Sequence, residues 1–183
     1  MGSWTSLCAL LLIFSIHNTR SQTFLCSSGF CATGWVQYAD SCYKAVMEPK
    51  NWNDAEMACH SYGRNSHLAS IHSAEENDFI FHLMGKPLDH TNGKAYWIGA
   101  HDTFKEGSFV WTDGSGFDFQ TFPPNQPDGL AGEHYLGSWI LQNGHVTWND
   151  FALSWHFPFV CKYNLRDSEN MRVSDAEWLR DSK

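Results

Sequence analysis

The chain changes texture at Gly93, and that change limits the folds open to it. Before it, apolar residues recur at helical spacing. After it, short aromatic runs alternate with Gly, Asp and Asn. Residues 51–62 set Trp52, Ala55, Cys59 and Tyr62 on one helical face, with Gly63 as the stop. Ser73 and Glu76 form a capping box, followed by a stripe of Phe79, Ile80 and Leu83 that ends at Gly85. Beyond Gly93, Trp97-Ile98-Gly99-Ala100 and Phe109-Val110-Trp111 read as strands. Residues 135–141 and 145–148 flank Asn143-Gly144, a strong hairpin signal, and residues 157–163 read as a last strand. Helices first and then a mostly antiparallel sheet predict the α+β class. Residues 112–132, dense in Gly, Pro, Asp and Asn, are too long for a simple connection and predict a functional loop.

The 183 residues suit one domain with short tails. Nine Trp and thirteen Phe point to an aromatic-anchored core. The formal charge is −8 and no basic run occurs, which argues against nucleic acid as a partner. Residues 7–16 (LCALLLIFSI) are apolar, sized for a signal-peptide core and too short to cross a bilayer. Thr19 and Ser21 are the small residues that a cut before Gln22 requires, although no Lys or Arg precedes the run. A buried N-terminal strand is the alternative for this run. The expected organisation is a signal peptide at 1–21, a short segment at 22–30, a domain at 31–163 and a polar tail at 164–183. The tail is expected to be loose, with one helical turn around 176–179. No later segment is apolar enough to span a membrane, so a secreted, soluble protein is expected.

With Cys8 inside the leader, five cysteines remain: Cys26, Cys31, Cys42, Cys59 and Cys161. An odd number in an oxidising compartment implies two bridges and one thiol left over.

In order along the chain stand Cys31-Ala-Thr-Gly-Trp35, Cys42-Tyr43, Cys59, Leu68-Ala-Ser-Ile71, Trp97-Ile-Gly99, Trp111-Thr-Asp-Gly114, Trp148-Asn-Asp150 and Phe157-Pro-Phe-Val-Cys161. Taken together these resemble the C-type lectin domain in its long form, over about residues 31–163. The resemblance implies disulfides Cys31–Cys42, closing an N-terminal hairpin, and Cys59–Cys161, tying the first helix to the last strand, leaving Cys26 unpaired. That thiol would either link a dimer or be capped by a small thiol, so a monomer and a Cys26-linked dimer both stay open. A further family disulfide bracing the long loop is missing, with Tyr135 and Leu153 at its positions. An apolar Tyr-Leu contact is one expected replacement.

The resemblance also implies a calcium site. Calcium takes about six to eight oxygen ligands, carboxylates and amide carbonyls among them. Gln126, Asp128, Glu133, Asn149 and Asp150 match the family's primary ligands residue by residue, and the Gln126–Pro127 peptide is expected to be cis. Two vicinal sugar hydroxyls would complete the coordination while hydrogen-bonding to the same side chains. A carboxylate only accepts, whereas an amide both donates and accepts, so Gln-Pro-Asp in place of Glu-Pro-Asn exchanges the donor and acceptor sides. In the family that exchange accompanies galactose-type preference, which the resemblance therefore implies here. The aromatic on which galactose commonly stacks is absent, Gly129-Leu130 standing in its place. Trp139 and Trp155 are the alternatives, each more often a core residue than a platform. A weak second calcium is expected at Asp102 and Glu106 with Glu133 bridging. Gly129 and His134 replace carboxylates there, and a protonated His134 would repel a cation.

Against a binding site stands the ordinary use of Asp, Asn and Gly to shape loops. Three function classes follow. The first is a calcium-dependent binder of galactose or N-acetylgalactosamine on glycoproteins or cell surfaces, and the second is the same fold binding protein, mineral or ice surfaces. An enzyme is the weakest: Gly-x-Ser-x-Gly is absent, and the ten histidines show neither a His-Glu-x-x-His element nor paired zinc spacing.

Overall fold

Asn51 starts the first helix. Its side chain accepts the Asp54 N–H at 2.9 Å, and α1 (Trp52–Ser61) buries Trp52, Ala55 and Cys59. Ser73 caps α2 (Ala74–Leu83) by accepting the Glu76 N–H at 3.1 Å. The Glu76 carboxylate returns to the His72 N–H at 2.8 Å, one residue before the usual partner in a capping box. The computed structural model describes residues 30–86, 88–89, 94–129 and 132–166.

The strands are β1 (Val36–Tyr38), β2 (Ser41–Lys50), β3 (His67–Leu68), β4 (Tyr96–His101), β5 (Val110–Trp111), β6 (Glu133–Ile140), β7 (Val146–Ala152) and β8 (Phe157–Asn164). They form one sheet in the order β1-β2-β8-β4-β6-β7, with β3 added on β8 and β5 on β4. Every pairing is antiparallel except β4 with β8. The class is α+β, as expected; the helices-first order read from the pattern is corrected, since the N-terminal hairpin implied by the resemblance, β1–β2, precedes α1, and β3 lies between the helices. The far half of β2 is exposed and carries Glu48 and Pro49, so it shows no alternation, and its pairing with β8 makes it a strand.

Alternation along the central strands divides the interior in two. Tyr96, Ile98 and Ala100 of β4 join Leu136 and Trp148 on the face covered by α2 and the long loop. Trp97, Phe151, Phe157 and Phe159 pack with Trp52, Ala55 and Cys59 of α1 on the other. Gly99 sits where β4 crosses β3; a Cβ there would stand 2.3 Å from the Leu68 carbonyl oxygen. A polar network ties β8 to the start of α2: Lys162 donates to Glu76 at 2.7 Å, and the Tyr43 hydroxyl donates to the same oxygen at 2.5 Å.

Disulfides join Cys31 to Cys42 and Cys59 to Cys161. The second spans 102 residues, a closure that stabilises by about 4–5 kcal/mol in the chain-entropy model. At the positions of the absent third bridge, Tyr135 packs on Trp52 with centroids 4.8 Å apart, and Leu153 is exposed. The long loop is held by rings instead. Phe117, Phe119 and Phe122 surround the buried Trp148, with centroids 6.2, 5.5 and 6.0 Å away. The Trp148 N–H also donates to the Thr121 carbonyl at 2.9 Å.

The tail boundary shifts. β8 runs through Asn164, the Leu165 N–H donates to the Asp40 carbonyl at 2.9 Å, and Arg166 meets the Asp40 carboxylate at 2.6 Å. The leader, Cys26 and the helical turn expected at 176–179 lie outside the described residues. Among the described residues no helix is long and apolar enough to cross a membrane.

Candidate metal and ligand site

Trp148 fixes β7 in the core, its indole N–H donating to the Asn77 side chain at 2.9 Å. Asp150, two residues on, points to the same face of the strand. It is fully buried, and neither carboxylate oxygen meets a hydrogen-bond partner, the only carboxylate so placed among the described residues. Burial raises its pKa, and the nearby Asp128 and Asp102 charges add to that; the backbone N–H groups of Asp150 itself and of Gly129 lie close enough to offset part of the rise, but neither closes a hydrogen bond to the carboxylate.

The neighbours of Asp150 share its sign. Asp128, from the long loop, and Glu133, the first residue of β6, bring carboxylate oxygens within 4.8 Å of each other and of Asp150. Glu133 is also pushed above the usual carboxylate range, first by burial and then by Asp150 and Asp128. Gln126 is joined to this group through Asp128: its amide donates to the Asp128 carboxylate at 3.2 Å and accepts the Asp128 N–H at 3.0 Å. The Gln126–Pro127 peptide is cis. Asn149 donates to the Asp150 carbonyl at 2.8 Å, and it lines a cleft of about 330 Å³ with Gln126, Pro123, Pro124, Trp139 and Leu141. The structure therefore gathers Asp128, Glu133 and Asp150 directly, and it links Gln126 and Asn149 to them through contacts and the shared cleft.

A buried carboxylate without donors is costly unless a cation balances it. Three converging carboxylates with two amide side chains beside them are the oxygen-rich, anionic set that suits calcium, so the residues fit that ion.

Asp102 and Glu106 form a second group, and the residue that joins them is His134. Its Nδ1 lies 3.0 Å from Asp102 and 3.6 Å from Glu106, while Glu133 belongs to the first group. Asp102 also accepts the Gly107 N–H at 2.8 Å. Gly129 leaves room for Glu106, whose carboxylate oxygen would stand 2.8 Å from a Cβ there. Of the two candidate platforms, Trp139 is half-buried and stacked on Phe151 at 5.5 Å while reaching the cleft. Trp155 is exposed and stacks on Phe157 at 5.6 Å.

Sequence reasoning passed over a third grouping, Glu56, His60 and His67 on α1 and β3. Its one visible signal was Glu56 and His60 a helical turn apart.

The Lectin C-type domain model matches residues 48–163. A lectin of Pleurodeles waltl is 38% identical over 84% of this chain and 88% of its own. An alpha-N-acetylgalactosamine-specific lectin of Patiria pectinifera is 34% identical over 88% of this chain and 97% of its own. Among solved structures, a calcium-independent type II antifreeze protein superposes with a TM-score of 0.64, at 25% identity over 74% of this chain and 95% of that one. The match over most of the domain, the two disulfides and the helix-flanked sheet settle the family. The chain belongs to the C-type lectins, which makes it a binding protein and not an enzyme.

Proposed function

We propose that this protein is a secreted, calcium-dependent lectin for terminal galactose or N-acetylgalactosamine. Its ligands are Gln126, Asp128, Glu133, Asn149 and Asp150, which hold both the ion and the sugar. The observation that carries the reading is the fully buried Asp150 carboxylate without a hydrogen-bond partner, grouped with Asp128 and Glu133. Calcium supplies two things there: compensation for the buried charges and open coordination for two sugar hydroxyls. The chain's own side chains do the selecting. Gln126 offers a donor and Asp128 offers acceptors, in the order associated with galactose. Trp139 reaches the cleft beside Gln126 and Asn149, and it is the platform for the apolar face of the sugar. The N-acetylgalactosamine-specific relative supports the same ligand class.

A weaker second ion belongs at Asp102 and Glu106, with His134 competing for it. Valence comes from Cys26 if that thiol links two chains; single sugar sites bind weakly, so pairing them raises avidity. The likeness to an antifreeze protein favours one other reading, a surface-binding domain without sugar specificity. Calcium titration calorimetry on the wild type and on Asp150→Asn tests the ion site. Tight binding lost in the variant supports it, and equal binding by both removes it.

A further inference from the structure

Glu56 and His60 stand one turn apart on α1, and His67, the first residue of β3, lies against that face. Glu56 Oε1 is 2.7 Å from His67 Nδ1 and 3.2 Å from His60 Nε2. The two imidazoles meet edge to face with centroids 4.3 Å apart. All three ligand atoms lie within 4.8 Å of one another. The second carboxylate oxygen is already engaged, accepting the Leu68 N–H at 2.8 Å and the Thr112 hydroxyl at 3.3 Å. Those two donors leave Oε1 directed at the histidines, the kind of support that orients metal ligands. His67 is buried and the His60 side chain is 51% exposed, so the trio opens to solvent on one side.

Two imidazoles and one carboxylate are the wrong donors for calcium, which takes oxygen, and the right ones for zinc. Four-coordinate zinc, with bonds of about 2.0–2.2 Å, sets its ligand atoms roughly 3.3–3.5 Å apart. The two Glu56–histidine separations need to open by less than 1 Å, roughly, to meet that spacing.

We propose that Glu56, His60 and His67 form a binding site for a zinc-like divalent ion, one that clips α1 to β3 and leaves one coordination position open. It shares no ligand with the carboxylate cluster of the long loop. The competing account is a plain histidine–carboxylate pairing that needs no metal.

The test uses the full chain in saturating calcium, so that the oxygen-rich positions are filled before zinc is added. Zinc titration should give one tight equivalent, and cobalt in its place should show the intense visible absorption of a four-coordinate site. His60→Ala, at a half-exposed helix position, should keep the fold and galactose retention while losing about a hundredfold in zinc affinity together with the cobalt band. Thr112→Val should weaken zinc by about tenfold through Glu56 alone. Zinc affinity unchanged in His60→Ala, or a wild-type chain that takes up no zinc, would overturn the proposal in favour of the plain pairing. Neither result touches the calcium-dependent reading of the long loop, because the ligands differ.

Discussion

Glu133 and Asp150, on adjacent antiparallel strands, hold carboxylate oxygens within 4.8 Å of each other, and burial, followed by the Asp150 charge, raises the Glu133 pKa. Both carboxylates are held above the usual range by burial and by neighbouring carboxylate charges when no cation balances them. The folded state therefore holds protons that the unfolded state releases, and stability falls as pH rises from the unfolded carboxylate values, about 4, through the raised folded values. In EDTA, the melting temperature of the wild type should drop over that interval. Other ionisable groups contribute to the same curve, so the comparison that matters is with Asp150→Asn, in which the drop should be smaller. Equal pH dependence in the two proteins would mean that the cluster is not strained without its ion.

Gln126→Glu with Asp128→Asn exchanges the donor and acceptor sides of the triplet while keeping its oxygens. Calcium affinity should be largely kept and sugar preference should move toward mannose, read by competition with free sugars. An unchanged preference would show that the triplet does not select the ligand.

Trp139 and Trp155 are separable as platforms. Trp139→Ala should weaken galactose binding by about tenfold, the worth of roughly 1.4 kcal/mol of lost ring contact, with calcium affinity retained. Trp155→Ala should leave both unchanged. The reverse pattern would move the platform from the cleft to the exposed ring.

Lys162 and Glu76 form an ion pair with side chains 10% and 8% exposed. Lys162→Met strands the Glu76 charge and should cost about 3–5 kcal/mol in denaturant unfolding, while calcium binding in the folded protein is unaffected. A cost below about 1 kcal/mol would place this pair among weak surface bridges.

Much of this architecture was legible because local and tertiary preferences agree. The spacing of Trp52, Ala55 and Cys59 announces α1, Ser73 announces α2 as its cap, and Asn143-Gly144 announces the β6–β7 hairpin. β2 and β3 were not legible, since a strand with an exposed, charged half and a two-residue strand take their identity from β8. The loop's anchoring was hidden for a similar reason: Phe117, Phe119 and Phe122 form no periodic pattern, and only the fold brings them around Trp148. At the candidate site, the matched ligand types pointed to residues of which the structure groups Asp128, Glu133 and Asp150 directly. The isolation of the Asp150 carboxylate, and the pairing of His134 with Asp102, needed three dimensions. His67 likewise joins Glu56 across a helix-to-strand turn that no linear spacing encodes.

The most direct test of a calcium-dependent galactose lectin is retention on immobilised galactose. The wild-type chain should be held in calcium, released by EDTA, and held again when calcium is restored, whereas Asp150→Asn should pass through throughout. Passage of the wild type in calcium, or retention that persists in EDTA, would contradict the account and favour the surface-binding alternative.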